Sequence, residues 1–363
     1  MKAAVCYEFG KPLVVEEVEL DPPKKNEVKV RLAATAICHS DIHLIRGDLK
    51  ERWGKLPYVA GHESAGYVEE VGENVTNFKP GDTVVVAVLR NCGECRFCKS
   101  GFPHLCMLMR QPEALSPLRN KKGQRLTRHE KLAGFSEVVL VDKTQLAKVP
   151  SDMPMDRAAL LACAVITGFG AVVYRAQVKP FKSVAVIGAG GVGLNAIQGA
   201  AFAGAYPIIA IDIADMKLKA AKAFGATHTI NPADGDSIDA VKRLTNGDGA
   251  DYVFATVGVA DAIHQGFMMS GTRGTTYIVG LPPLEKSEFT FSAYDFISRE
   301  KNLGGVFLGS ANVSIDIPHL ATLYQAGKLK LDELITKRYS LNKINEAIES
   351  VERGEALRNV IIF

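Results

Sequence analysis

Four cysteines fall within residues 92–106, spaced Cys92-x2-Cys95-x2-Cys98-x7-Cys106. Four thiolates from one lobe of chain make a closed tetrahedral shell for Zn²⁺, which leaves no place for a substrate and points to a structural metal. An iron–sulfur cluster is the competing reading. The bacterial ferredoxin run has a shorter last spacing followed by proline, whereas Met107 follows here. Cys6, Cys38 and Cys163 stand apart. Cys38 opens the run Cys38-His39-Ser40-Asp41-Ile42-His43, and His62 lies in Gly61-His62-Glu63. These are soft donors that suit zinc, with carboxylates nearby to orient an imidazole. No spacing rule joins residues 38, 62 and 163. Taken singly, a cysteine is a small buried hydrophobe and a histidine a satisfied polar residue.

A second constellation is Gly188-Ala189-Gly190-Gly191-Val192-Gly193. A predicted strand, Val184–Ile187, precedes it and a small-residue helix, Val192–Ala203, follows. Glycines there permit a tight turn and let backbone N–H groups approach a pyrophosphate at the positive helix end. Asp212 ends the next predicted strand, 19 positions beyond Gly193. A carboxylate at that point accepts the adenosine ribose hydroxyls and repels a 2′-phosphate, which favours NAD over NADP. The bland alternative is a packing turn with Asp212 as a helix N-cap.

The elements that must position these groups fall into two styles. Residues 1–160 are β-rich, with runs such as Val28–Leu32, Gly66–Val71 and Thr83–Val88 between Gly, Pro and Asp punctuation. From about 165, strands and helices alternate: Ser183–Ile187, Pro207–Ile211, a helix Lys217–Phe224 closed by Gly225, then Thr227–Ile230, Tyr252–Ala255 and Tyr277–Val279. That rhythm predicts a parallel α/β domain. After about 308 the patterning is mixed and ends in an apolar strand, Asn359–Phe363.

The 363 residues are enough for two domains. With 43 Lys+Arg against 40 Asp+Glu, the net charge of +3 gives no basis for a nucleic-acid or polybasic membrane partner. A hydrophobic share of 47% and a charged share of 23% exclude disorder and a small disulfide scaffold. An odd count of 7 cysteines argues against a disulfide framework. Glu8 interrupts any signal-peptide core, so a reducing cytoplasmic location is expected. The uncharged run 158–174 falls short of the ~20 residues a spanning helix needs. The run 183–211 carries many glycines, Pro207, Asn195 and Gln198, and reads as buried strand, turn, helix and strand. The segment 107–132 is basic, with Arg110, Arg119, Lys121, Lys122, Arg125, Arg128 and Lys131 against Glu113 and Glu130; it reads as a solvated loop or a steering surface for an anionic substrate.

Over essentially its whole length the chain resembles the zinc-dependent medium-chain alcohol dehydrogenases. The matching pieces are Cys38-His39-Ser40-Asp41, Gly61-His62-Glu63, the four-cysteine lobe, Cys163 with Thr167-Gly168-Phe169-Gly170, the glycine loop, Asp212 and the terminal Arg358–Phe363. The resemblance implies a β-rich GroES-like catalytic domain, 1–164 with 308–363, and a Rossmann doubly wound parallel sheet, 165–307. It implies two Zn²⁺ per chain: a structural ion on Cys92, Cys95, Cys98 and Cys106, and a catalytic ion on Cys38, His62 and Cys163. Asp41 is then the partner of His62, and Glu63 sits behind the metal as a transient ligand. Ser40 accepts the alcohol proton and His43 ends a relay through the cofactor ribose. NAD is held by Gly188, Gly190, Gly191, Val192, Gly193 and Asp212, with Lys217 at the ribose, and His39 and Arg358 at the pyrophosphate. Thr167, Val279, Gly280 and Leu281 line the nicotinamide, and Val257 is a further cofactor position. His39, Lys217 and Arg358 have a plainer reading as surface charges.

The long segment between Cys106 and Cys163 is similar to the dimeric branch, which implies a homodimer. In the branch that oxidises the formaldehyde–glutathione adduct the relay position is usually aromatic, and His43 departs from that. Val88 stands where many relatives carry an aromatic pocket residue, and Ser40 is smaller than threonine. Both imply room for a bulky or aromatic primary alcohol. A non-catalytic zinc- and nucleotide-binding protein is the alternative of a different class. Cys6 reads as a small apolar residue of the first strand.

Overall fold

The computed structural model describes residues 1–48, 50, 55–111, 113 and 115–363. Positions 112 and 114 of the basic segment, and the side chains of Arg110 and Glu130, lie outside the described residues. The chain forms two units, Met1–Cys163 with Asn312–Phe363, and Ala164–Ala311. The breaks therefore fall after 163 and 311, where the sequence reading set them after 164 and 307.

In the first unit the key element is the strand Glu27–Ala36. Val28, Val30, Leu32 and Ala34 alternate inward, the period-2 pattern of a half-buried strand. It pairs antiparallel with Glu63–Val71, with Val138–Asp142 and with the C-terminal strand Arg358–Ile362. The register sets Ala36 opposite Glu63 on one side and opposite Val360 on the other. Chain just beyond Ala36 thus lies level with chain just before Glu63 and just before Val360. Cys38, His62 and Arg358 arrive at one sheet edge by this pairing alone. The first two strands run longer than Val28–Leu32 and Gly66–Val71 because pairing carries small residues such as Ala33–Ala36 that have little strand preference of their own. The strand Thr83–Val86 is shorter than expected, although the Ala87 N–H still bonds to Gln145 O in the register that pairs Val86 with Leu146. Cys6 is buried in the first strand opposite Tyr58, as the sequence implied, and burial raises its thiol pKa.

Cys163 is delivered differently. The helix Met155–Leu160 packs on the strands Glu27–Ala36 and Glu63–Val71 and then widens into a π-turn, Leu161–Val165. Such widened turns re-aim side chains and recur at functional sites. Helical structure continues to Ala176, so the segment Met155–Ala176 spans 22 residues and does reach membrane length, which the run 158–174 did not. The added first turn, with Asp156 and Arg157, lengthens it. Its most apolar window is 83% buried inside the protein, as a core helix is.

The second unit holds a six-stranded parallel sheet in the spatial order His228–Ile230, Ile208–Ile211, Val184–Ile187, Ala250–Ala255, Ser270–Ile278, Asn302–Gly305. Numbered along the chain that is 3-2-1-4-5-6, the doubly wound order with its switch point beside the first strand. Helices Gly191–Phe202, Asp215–Ala223, Ser237–Leu244 and Ala260–Met269 form the crossovers. The strand Asn302–Gly305 was not expected, because Asn-Leu-Gly-Gly carries no strand signal until Ser270–Ile278 offers its edge.

Gly61 tests the close backbone packing next to His62. Its φ is +93°, and a Cβ there would stand 2.6 Å from Phe135 Cδ1 and 2.7 Å from Gly134 C. Gly61→Ala should lower the stability of the chain by about 2–4 kcal/mol, read as a fall in urea midpoint. A midpoint within error of the parent would refute the tight-packing account.

Candidate active site and its metal and nucleotide positions

The ligand atoms of Cys38, His62, Glu63 and Cys163 all lie within 4.8 Å of one another, and all four residues are buried. Cys38 is the N-cap of the helix His39–Arg46, and Asp41, at the third helical position, closes a capping box by accepting the Cys38 N–H at 3.3 Å. The run Cys-His-Ser-Asp is therefore a helix start as well as a ligand motif. Asp41 also accepts Gly61 N–H at 2.9 Å and His62 Nδ1–H at 2.9 Å. With Nδ1 so occupied, Nε2 is the atom His62 offers to a metal. Ser40 Oγ stands 3.4 Å from that Nε2.

Electrostatics agree with a cation site. Burial works to raise the Asp41 pKa, yet the charge of His62 and the hydrogen bonds of His129 and His62 hold it down to about 2. Cys38 is pulled well below an ordinary thiol, first by its hydrogen bond from Cys163 and then by Arg358 and His62; Cys163, the donor, is pushed up. Glu63 is pushed up to about 8 by burial, against the pull of Arg358. Both its carboxyl oxygens are buried without a hydrogen bond, and Arg358 Nη2 stands 3.3 Å from Oε1. Two soft sulfurs, one imidazole nitrogen and an unsatisfied carboxylate behind them fit a zinc with one open position.

Arg358 is buried, donates to Ile37 O at 2.9 Å and faces Glu63, so its reading as a surface charge is corrected. His39 is exposed in the first helical turn. His43 lies three positions after Ser40 on the same helix, hence on the same face. Its Nδ1 is 2.7 Å from Asp48 Oδ2. Two residues here were missed from sequence, Asp48 and His129. His129 Nδ1 donates to Asp41 Oδ1 at 3.2 Å, and its ring stands edge-on to His62 at 5.1 Å. No local pattern links residue 129 to 41.

The four-cysteine lobe is compact. Sγ–Sγ separations are 3.6 Å for Cys95–Cys98, 3.9 Å for Cys95–Cys106 and 3.6 Å for Cys92–Cys106. A tetrahedron with Zn–S of ~2.3 Å has edges of about 3.8 Å. No disulfide joins them. Backbone N–H groups aim at the sulfurs, from Cys95 at 3.2 Å and Glu94 at 3.4 Å onto Cys92, and from Cys92 at 3.3 Å onto Cys106. N–H bonds from Met107 and Cys98 hold Cys95 down to about 6, while burial drives Cys106 up to about 12. The donor set and its edges fit a closed zinc shell.

In the second unit the predicted nucleotide residues gather at the C-terminal ends of the parallel strands, where such sheets take ligands. Gly190 caps the helix Gly191–Phe202, and a Cβ added there would meet nothing within 4 Å, so the helix N-terminus opens on free space. Gly188 and Gly193 are different: a Cβ on Gly188 would press on Val257, and one on Gly193 on Gly188 O. Two glycines thus shape the turn and one leaves the cradle open. Asp212 accepts Ala189 N–H at 2.7 Å and Ala214 N–H at 2.9 Å, which ties it to the loop. The helix that follows, Asp215–Ala223, has Ala214 as its N-cap, so Asp212 does not cap it. Lys217 is half-buried on that helix. Val279 and Gly280 N–H groups bond to Ala255 O at 2.9 and 3.0 Å, and Gly258 packs under Leu281 O. Thr167 Oγ1 is buried without a hydrogen bond, beside Gly168, which packs on Val192 O. The cradle and the orphaned hydroxyl fit a dinucleotide.

The basic segment is neither a free loop nor a bare cationic surface. Arg119 and Arg125 both grip Asp21, at 2.7 and 2.6 Å, and Lys121 pairs with Glu17. Arg128 is buried against Glu113 and Leu140 O. Asp21 and Glu17 are remote in sequence, which is why the charges of Arg119, Arg125 and Lys121 looked uncommitted.

His129→Gln should weaken the clamp on Asp41. A lost hydrogen bond to a charged group costs about 1.5–3 kcal/mol. The urea midpoint should fall accordingly, and chelator should strip metal faster from the variant than from the parent. Equal stripping rates and midpoints would remove His129 from the clamp.

Two family models match the chain. Residues 24–151 match the alcohol dehydrogenase GroES-like domain and residues 191–325 the zinc-binding dehydrogenase family. An NDMA-dependent alcohol dehydrogenase of Amycolatopsis methanolica is 40% identical, across 99% of this chain and 98% of the relative. Among solved structures, an alcohol dehydrogenase zinc-binding domain protein from Burkholderia ambifaria shares 33% identity with a TM-score of 0.94, covering 100% of this chain and 98% of that one. Benzyl alcohol dehydrogenase from Acinetobacter calcoaceticus shares 31% with a TM-score of 0.92, covering 100% and 99%. Its first unit is accordingly a GroES-like domain and its second a Rossmann domain, and the chain belongs to the zinc-dependent medium-chain alcohol dehydrogenase family.

Proposed function

We propose that the protein oxidises an alcohol reversibly to an aldehyde or ketone, with zinc and NAD as its cofactors. The observation that carries this reading is the buried meeting of Cys38, His62 and Cys163, with Asp41 fixing the imidazole. Zinc held there with one open position would supply Lewis acidity that eases loss of the alcohol's proton, and NAD would supply the hydride acceptor.

The chain's own residues do the rest. Asp41 keeps His62 in the tautomer that presents Nε2. Ser40, beside that nitrogen, takes the hydroxyl proton and hands it toward His43, whose partly exposed ring can pass it to solvent. Asp212 retains lone pairs for ribose hydroxyls beyond its two loop bonds. The Gly190–Gly193 turn presents N–H groups to a pyrophosphate. The cysteine lobe would hold a second, structural zinc.

Val88, together with Arg90, Leu108, Met109 and Lys131, lines a small cavity. Val88 follows the strand Thr83–Val86, whose last residue pairs with Ser64, two residues after His62. A valine there leaves room for a bulky or aromatic primary alcohol, and the benzyl alcohol dehydrogenase relative supports that substrate class. His43 weighs against the glutathione-adduct alternative, and the complete ligand set against a non-catalytic role. A homodimer in the cytoplasm, acting on a small molecule without nucleic acid or membrane, completes the proposal.

The test is NADH formation from NAD⁺ with benzyl alcohol and aliphatic alcohols, before and after chelation, with a parallel arm containing NDMA. Turnover lost on chelation is expected. Turnover only in the NDMA arm would keep alcohol oxidation and overturn free NAD as the acceptor. Cys38→Ser should lose about 10³-fold in turnover, keep NAD binding and drop one of two zinc ions per chain. Parent-level turnover in Cys38→Ser would sink the metal assignment.

A further inference from the structure

The helix His39–Arg46 ends in a left-handed Gly47, φ 87°. Gly47 N–H bonds to Leu44 O at 3.1 Å, and Asp48 N–H reaches back to His43 O at 2.9 Å. This is the Schellman pattern, in which the second residue past the helix folds over the residue five positions earlier. A hydrophobic pair commonly occupies those two positions. Here they are His43 and Asp48, and their side chains meet at 2.7 Å between Nδ1 and Oδ2.

From this geometry we propose that Asp48 is a positioning residue for proton transfer: it holds His43 as the Nδ1–H tautomer and leaves Nε2 free to receive a proton. The inference rests on the reading of His43 as the relay base. An ionised carboxylate can only accept, so the hydrogen in the His43–Asp48 bond belongs to Nδ1. A neutral imidazole carries one N–H, so Nε2 then holds a lone pair. Without an obligate acceptor the hydrogen can sit on Nε2, and the ring would face the relay as a donor. Asp48 also offers its charge to the imidazolium that forms once the proton arrives. The pair is partly exposed, with 29% of the His43 and 34% of the Asp48 side chain accessible, so its contribution to stability is small and its effect lies in which nitrogen is protonated.

The carboxylate is not there for the helix. Negative charge near a helix C-terminus opposes the macrodipole. Asp48→Asn should therefore fold at least as well as the parent, and a rate loss in it cannot be assigned to unfolding. Asparagine can accept from Nδ1 or donate to it and no longer dictates the tautomer.

The experiment compares zinc-loaded parent, Asp48→Asn, Asp48→Glu, His43→Gln and the Asp48→Asn/His43→Gln double variant. Single-turnover hydride transfer is followed with benzyl alcohol and NAD⁺, and ¹⁵N NMR of labelled histidine reads the tautomer, the His43 signals being those absent from His43→Gln. The expected result is Nδ1–H in the parent and mixed tautomers in Asp48→Asn. Hydride transfer should slow about 3–10-fold with KM within twofold, as part of the ~10²–10⁴-fold worth of a general base. Asp48→Glu should recover part of the rate, and the double variant should be no slower than His43→Gln. A slow His43→Gln beside an Asp48→Asn with parental rate or parental tautomer would overturn the role of Asp48. Parental hydride transfer in His43→Gln would instead overturn the relay reading on which it rests.

Discussion

The Asp41 carboxylate is completely buried and charged, and the first unit is organised around satisfying it. Removing a carboxylate from water costs several kcal/mol unless partners replace the hydration. Four donors do so: Cys38 N–H, Gly61 N–H, His62 Nδ1–H and His129 Nδ1–H. They come from three separate segments, so one side chain ties the helix His39–Arg46, the turn before the strand Glu63–Val71 and the turn at His129. Two of the ties also set candidate metal ligands. The N-cap bond fixes the backbone of Cys38, and the imidazole bond decides which nitrogen of His62 faces the cluster. The positive φ of Gly61 brings the turn close enough for its N–H to reach the same oxygen. The geometry of the candidate metal site and the local fold rest here on the same set of hydrogen bonds.

What could be read from sequence depended on whether the signal was local. The glycine loop, Asp212 and the alternation of strand and helix are local, and they yield the Rossmann half nearly complete, from Val184–Ile187 through Ala250–Ala255. The cysteine lobe is local too. The meeting of Cys38 with His62 is not: it follows from the register Ala36↔Glu63, which no spacing encodes, and only the family resemblance supplied it. Cys163 depends on a π-turn that side-chain periodicity does not announce. The partners of Arg119, Arg125 and Arg358 are far along the chain, so their charges read as solvated until the fold paired them. Asp48 is the intermediate case. Gly47 after an amphipathic run is a readable helix stop, and the stop itself predicts which two side chains fold together.

The two thiolate clusters solve the same electrostatic problem by different means. In the lobe, negative sulfur is met by backbone N–H groups of the Cys92–Leu108 turns, all within a few residues of the ligands. Its charge compensation is built by short-range turns and survives as long as those turns do. In the buried cluster, compensation comes from His62 and Arg358, and Arg358 is itself balanced by Glu63. Residues 38, 62, 163 and 358 are brought together by the paired strands and the helix packed on them, and no subset closer in sequence could assemble the set. A closed site that only has to stay folded can be local and partly exposed. A site that gathers two cysteines, an imidazole and a carboxyl without hydrogen-bond partners into a dry setting requires the whole unit. The buried cluster is therefore linked to global stability, as the Gly61–Phe135 contact beside it implies, whereas the lobe is linked to its own loop.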